Sequence, residues 1–122
     1  MARILLIDDD QPIRDMLVKV LSHAGHEVIV ASNGFDGVAL FRQQNADLVV
    51  TDLVMPHGGL PTIRVLREEF PALPIIAISG SRTPLAMAGV LGATRTMTKP
   101  FKLDELVAAI AAALPPLPAK RA

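Results

Sequence analysis

The sequence predicts an α/β domain: a five-stranded parallel sheet, doubly wound, with helices on both faces. Three observations predict it. Five short runs rich in Ile, Val and Leu alternate with five segments whose apolar residues recur at helical spacing, and such units pair in parallel through right-handed crossovers. The strand runs are nearly continuous in apolar residues, as burial on both faces requires. Three of them also deliver polar residues to their carboxyl ends, Asp8-Asp9-Asp10, Asp52 and Ser79, and that edge is where open parallel sheets bind ligands. A strand order of 2-1-3-4-5 sets the first and third strands side by side at the switch point, so that Asp8, Asp9 and Asp52 converge.

Each element has a local reason. Ile4 to Ile7 form the first strand. Asp10 is a fitting N-cap, Pro12 falls near the first helical position, and Ile13, Met16, Leu17, Val20, Leu21 and Ala24 make a helical stripe that Gly25 stops. Glu27 to Ala31, around Val28-Ile29-Val30, is the second strand. Ser32-Asn33-Gly34 turns the chain into a helix over Phe35 to Gln44, with Ala39, Leu40 and Phe41 as its apolar side. Leu48 to Asp52 is the central strand. Met55-Pro56-His57-Gly58-Gly59 leads on to a helix over Leu60 to Phe70 carrying Ile63, Leu66 and Phe70, which Pro71 and Pro74 break. Ile75 to Ser79 is the fourth strand, followed by Gly80-Ser81-Arg82-Thr83 and a short helix opened by Pro84 and closed near Gly92. Thr94 to Thr98 suits an edge strand, because its threonines favour β structure while Arg95 needs solvent. Lys99-Pro100-Phe101 ends that strand. An Ala-rich helix over Leu103 to Leu114 follows, with Asp104 and Glu105 in its first turn, and Pro115-Pro116-Leu117-Pro118 stops it.

The chain of 122 residues fits one domain with a core of its own. We expect residues 1–118 to form it and 119–122 to be a short tail without an output domain. Cysteine is absent, which removes disulfides, thiolate catalysis and Cys-zinc sites and suits a reducing cytoplasm. No apolar run approaches a membrane span, and no signal-peptide pattern opens the chain. Twelve basic residues balance twelve acidic ones, and aromatics make up 3%, so nothing advertises direct nucleic-acid binding. His23, His26 and His57 share no ligand spacing and read as surface residues. Met16, Met87 and Met97 read as core filling.

Asp8-Asp9 after the first strand, Asp52 after the third, Ser79 after the fourth and Lys99-Pro100 after the fifth resemble the receiver domains of two-component response regulators. The likeness runs from about Ile4 to Leu114. The family has the flavodoxin-like 2-1-3-4-5 sheet, so the strand order expected here rests in part on that likeness. On the residues alone, three crowded carboxylates repel one another, and a hard divalent cation with oxygen ligands relieves the repulsion. Mg²⁺ suits them. The resemblance implies that Asp9 and Asp52 ligate Mg²⁺ directly, that Asp8 acts mainly through water, and that the Val54 carbonyl adds an oxygen. It further implies that Asp52 is the phosphoacceptor, attacking a phosphohistidine on a sensor histidine kinase or a histidine phosphotransfer protein. Lys99 would neutralise charge on the transferring oxygens, and Ser79 would donate its hydroxyl to the attached phosphoryl group. The Lys99-Pro100 peptide should be cis. Val54 and Ser81, each two residues beyond a site residue, would govern water access and so the lifetime of the phosphoryl group.

The departures from the family also carry expectations. Thr96 stands where the family has a switching Tyr or Phe, so output is expected to be read differently. The stretches from Asp52 to Leu60 and from Ser79 to Lys99 are slightly short, which predicts a mobile loop in the first and a trimmed fourth helix in the second. In the last helix Leu106, Val107 and Ile110 are expected to face the sheet. Ala108, Ala109, Ala111, Ala112 and Ala113 would then form a smooth flank which, with the Thr94 to Thr98 edge, is expected to dock a downstream protein or a second copy in a homodimer. The expected function is thus a non-enzymatic phosphoacceptor switch. Two alternatives stand beside it. Asp8-x-Asp10 resembles the motif of aspartate-nucleophile phosphatases of the haloacid dehalogenase class, although Pro12 sits where that motif wants Thr or Val. The other alternative is a receiver-like interaction module that is never phosphorylated.

Overall fold

The computed structural model describes residues 2–55 and 59–114. Within them the elements run β1 (Arg3–Ile7), α1 (Gln11–His23), β2 (Glu27–Ala31), α2 (Gly34–Gln44), β3 (Leu48–Asp52), α3 (Leu60–Glu69), β4 (Ile75–Ser79), α4 (Arg82–Leu91), β5 (Arg95–Thr98) and α5 (Leu103–Ala113). The strands form one sheet in the order β2-β1-β3-β4-β5, all pairs parallel. This is the predicted architecture.

Alternation along the strands divides the core into two layers. Leu5, Ile7, Val49, Ile75 and Ala77 face one side and pack against Val38 and Phe41 of α2, Ile63 and Leu66 of α3, and Leu85 and Ala88 of α4. Ile4, Leu6, Leu48, Val50, Ile76, Ile78 and Met97 face the other side, against Leu17 and Leu21 of α1 and Leu106, Ala109 and Ile110 of α5. Register then builds the site. Ile7 pairs with Thr51, so the next residues, Asp8 and Asp52, leave the sheet level with one another. Asp52 itself pairs with Ile78, and Ser79 with Thr98, which brings Lys99 out beside them.

Several local readings need correction. Met16 and Met87 are 44% and 46% exposed; each follows the helical stripe in spacing but is rotated about 100° from a buried neighbour, Leu17 or Ala88. Met97 is buried as expected. On α2 the sheet-facing residues are Gly34, Gly37, Val38 and Phe41, while Ala39 is exposed. Gly37 is there because a Cβ would lie 2.5 Å from Ile7 Cδ1. α4 begins two residues before Pro84, since a proline within the first turn forfeits only an N–H that has no helical partner. On α5, Leu106 and Ile110 are buried and half-buried Val107 packs against their layer as expected, but Ala109, 1% exposed, belongs to that core too. The expected flank therefore loses Ala109, has Ala113 half-buried against the core, and keeps Ala108, Ala111 and Ala112 as exposed residues. His23 is exposed; His26 is half-buried, its Nδ1 accepting the Ala2 N–H. His57, most of the loop expected to be mobile, and the Pro115-Pro116-Leu117-Pro118 stop lie outside the described residues. Among the described residues no helix is long and apolar enough to cross a membrane.

Candidate functional site

Four strand ends build the site. The Asp8, Asp9 and Asp52 carboxylates each present an oxygen within 4.8 Å of the others. Asp8 and Asp52 are buried, and Asp9 is exposed. Lys99 directly follows β5 and precedes a cis peptide to Pro100, and its Nζ lies 3.0 Å from Asp52 Oδ2. The other Asp52 oxygen accepts the Val54 N–H at 3.2 Å. Asp52 is 6% exposed, so each oxygen has a donor where water is scarce. The Lys99 N–H donates to the Ser79 carbonyl (2.9 Å), tying the fourth and fifth strand ends together.

Asp10 has two tasks. Its side chain accepts the Ile13 N–H and caps α1, as its place in the sequence suggests, and its own N–H donates to Asp8 Oδ1 at 2.9 Å. The Asp8 carbonyl accepts from Arg14 Nη1 at 2.7 Å, a contact to which sequence reasoning assigned nothing; an arginine on the first turn of a helix after an acidic strand end is the signal that was available. Gly59 is a second position whose role the sequence pattern does not show. It has φ +74°, and a Cβ there would collide with the carbonyl oxygen of Leu53, the residue after Asp52, so the position requires glycine.

Ser79 lies at the same sheet edge and is fully buried. Its Oγ accepts the Ser81 N–H at 3.1 Å, which leaves its own O–H free to donate elsewhere. Among the described residues no hydrogen bond joins it to Asp52. Val54 is 62% exposed, and beside Ser79 a Cβ at Gly80 would meet nothing within 4 Å among the described residues. Thr96 is exposed on β5.

Burial raises the Asp8 pKa above the ordinary carboxylate value; the Asp10 N–H and Lys99 oppose this, and the charges of Asp52 and Asp9 reinforce it. A carboxyl that holds its proton more tightly when folded favours the folded state at low pH, and that advantage fades as pH rises from the ordinary value of 3.8 through the raised one. Once ionised above that range, Asp8 opposes folding. Asp8→Asn, which keeps an oxygen for the Asp10 N–H, should be more stable than the wild type at pH 7 without divalent cations, the difference shrinking as pH falls toward 4. Urea unfolding in EDTA across that range measures it. A variant less stable than wild type at pH 7 would contradict the account.

The donor set suits a hard cation: three carboxylates against one ammonium, all ligand atoms oxygen, and Asp9 open to water for the remaining positions.

Comparison with known proteins agrees with this geometry. The sequence matches the response regulator receiver domain family over residues 4–111. It is 38% identical over 119 residues to protein PilH of Pseudomonas aeruginosa, covering 93% of this chain and 98% of PilH. To a probable transcriptional regulatory protein of Picosynechococcus it is 39% identical over 117 residues, 88% of this chain and 47% of that protein. The chain thus spans about half the length of some curated relatives and nearly all of another. The crystallised chemotaxis protein CheY4 of Vibrio cholerae superposes with a TM-score of 0.86 at 28% identity, covering 93% of this chain and 99% of that one. With acids at two adjoining strand ends, a lysine across a third and the match over nearly every element, the chain belongs to the receiver domain family of two-component response regulators.

Proposed function

We propose that the domain is a phosphoacceptor switch of the cytoplasm. In this reading Asp52 takes a phosphoryl group from a phosphohistidine on a sensor histidine kinase or a histidine phosphotransfer protein, and the domain passes the signal on by contact with a downstream protein or by relaying the phosphoryl group. The observation that carries it is the state of Asp52: buried at the end of the central strand, held by Lys99 and the Val54 N–H, and crowded by two further carboxylates.

The step balances without acid-base machinery. A bond forms between an Asp52 Oδ and phosphorus as the phosphorus–nitrogen bond breaks; the electron pair returns to that nitrogen, and the ring leaves as neutral imidazole because its other nitrogen already carries a proton. Lys99 Nζ already lies beside Asp52 Oδ2, so its charge faces the oxygens that carry the negative charge of the transfer. Asp8, Asp9, Asp52 and the Val54 carbonyl are the groups that would hold Mg²⁺, Asp8 mainly through water. When bound, the cation supplies positive charge to the phosphoryl oxygens and relieves the mutual repulsion of the acids. The Ser79 hydroxyl, its lone pair taken by the Ser81 N–H, donates to the attached group. A homodimer through α5 and the β5 edge is a further part of the proposal, supported by the exposed alanines of α5.

The test is to treat the purified domain with radiolabelled acetyl phosphate, or with a phosphorylated kinase, in Mg²⁺. We expect one phosphoryl group per chain, released by hydroxylamine as an acyl phosphate is, and no labelling in EDTA. A hydroxylamine-stable label, or equal labelling without divalent cation, would overturn the reading.

A further inference from the structure

We infer that Arg14 is a positioning residue for the acidic pair, and that through the Asp8-Asp9 peptide it sets the domain's affinity for a divalent cation; this rests on the reading of the site given above.

Asp9 is the member of the cluster without a grip of its own. Asp8 is held at three points: its N–H donates to the Ala31 carbonyl at 3.1 Å, its Oδ1 accepts from Asp10, and its carbonyl accepts from Arg14. Asp52 is held by Lys99 and Val54. The Asp9 carboxylate is exposed and, among the described residues, takes no hydrogen bond or ion pair. Its place within 4.8 Å of the other two acids must then be set by its backbone. The peptide plane that carries the Asp8 carbonyl also carries the Asp9 N–H and fixes the direction of the Asp9 Cα. Arg14 Nη1, 2.7 Å from that carbonyl, is the side chain that holds the plane.

The guanidinium has a firm base. Arg14 lies in the first turn of α1, its own N–H donating to the Asp10 carbonyl at 2.9 Å, and Asp10 caps the same turn. Arg14 and Asp10 thus brace the Asp8-Asp9-Asp10 segment from opposite ends of one helical turn. Groups that orient ligands without touching the cation commonly alter its affinity about 10- to 100-fold when lost.

The experiment compares wild type, Arg14→Met and Arg14→Lys. Each is titrated with Mg²⁺ by calorimetry or by amide NMR shifts, and each is melted in EDTA to monitor folding. Methionine keeps the apolar stem and removes the donors, whereas lysine restores one donor. We expect the Mg²⁺ Kd to rise about tenfold or more in Arg14→Met and to recover in part in Arg14→Lys, with both variants folded in EDTA. A folded Arg14→Met with the wild-type Kd would overturn the role of Arg14 and leave the cation site standing. Should Arg14→Met fail to fold, Arg14→Lys decides: a raised Kd in the folded Lys variant supports the assignment, and an unchanged one overturns it. A wild-type domain that binds no Mg²⁺ would overturn the cation site, and this assignment with it.

Discussion

Asp52→Asn should abolish phosphoryl acceptance, with labelling by acetyl phosphate or by a phosphorylated kinase reduced at least about a thousandfold, as removal of a nucleophile does. The carboxamide oxygen carries no negative charge to attack phosphorus, and the ion pair with Lys99 Nζ at 3.0 Å is lost. The fold should survive. Asparagine has the same shape and still offers an oxygen to the Val54 N–H. Lys99 is half-buried at the sheet edge, so its ammonium can turn to water rather than remain stranded. Neutralising one of three crowded carboxylates also removes repulsion. Loss of labelling in a variant that melts at or above the wild-type temperature would therefore report chemistry and not unfolding. Undiminished labelling would move the nucleophile to another residue and defeat the assignment of Asp52. Asp9 and Asp8 are the neighbours to examine in that event, since both lie within the same cluster.

The sheet was legible because its strands are short, apolar and bounded by turn residues, so period and punctuation agree. The acidic cluster was legible because Asp8-Asp9 and Asp52 each end an apolar run, and the switch point of a parallel sheet brings those two strand ends side by side. Arg14 was not legible in the same way. Its partner is a main-chain carbonyl, and a carbonyl has no letter in the sequence. Gly59 is a similar case, since its need for glycine comes from the Leu53 carbonyl oxygen. Met16, Met87 and α2 differ from the sequence pattern only in rotation, while Met97 follows it. A stripe rich in Ala, Leu and Met is compatible with several angular settings, and packing selects one: Gly37 rather than Ala39 meets the sheet because Ile7 occupies the space a side chain would need.

Ala109→Glu should unfold the domain, whereas Ala112→Glu should leave its stability nearly unchanged. α5 is rich in alanine all round, so sequence alone places Ala109 and Ala112 on the same smooth flank. The structure separates them: Ala109 is 1% exposed and packs in the layer of Leu106, Ile110, Leu17 and Leu21, while Ala112 is exposed. A glutamate at 109 must bury a carboxylate with no partner in an apolar layer, at a cost of several kcal/mol, and must also force its extra volume into a close-packed site for about 1–3 kcal/mol more. A small domain has only about 5–15 kcal/mol in total. The expected result is a chain without a cooperative melting transition, beside an Ala112→Glu domain within about 0.5 kcal/mol of wild type. A well-folded Ala109→Glu would show that α5 is not seated as described. The same Ala112→Glu variant measures the surface. If wild type self-associates in sedimentation and the variant does not, the exposed alanines of α5 form the contact; if both sediment alike, α5 presents an ordinary solvent face and the homodimer is withdrawn.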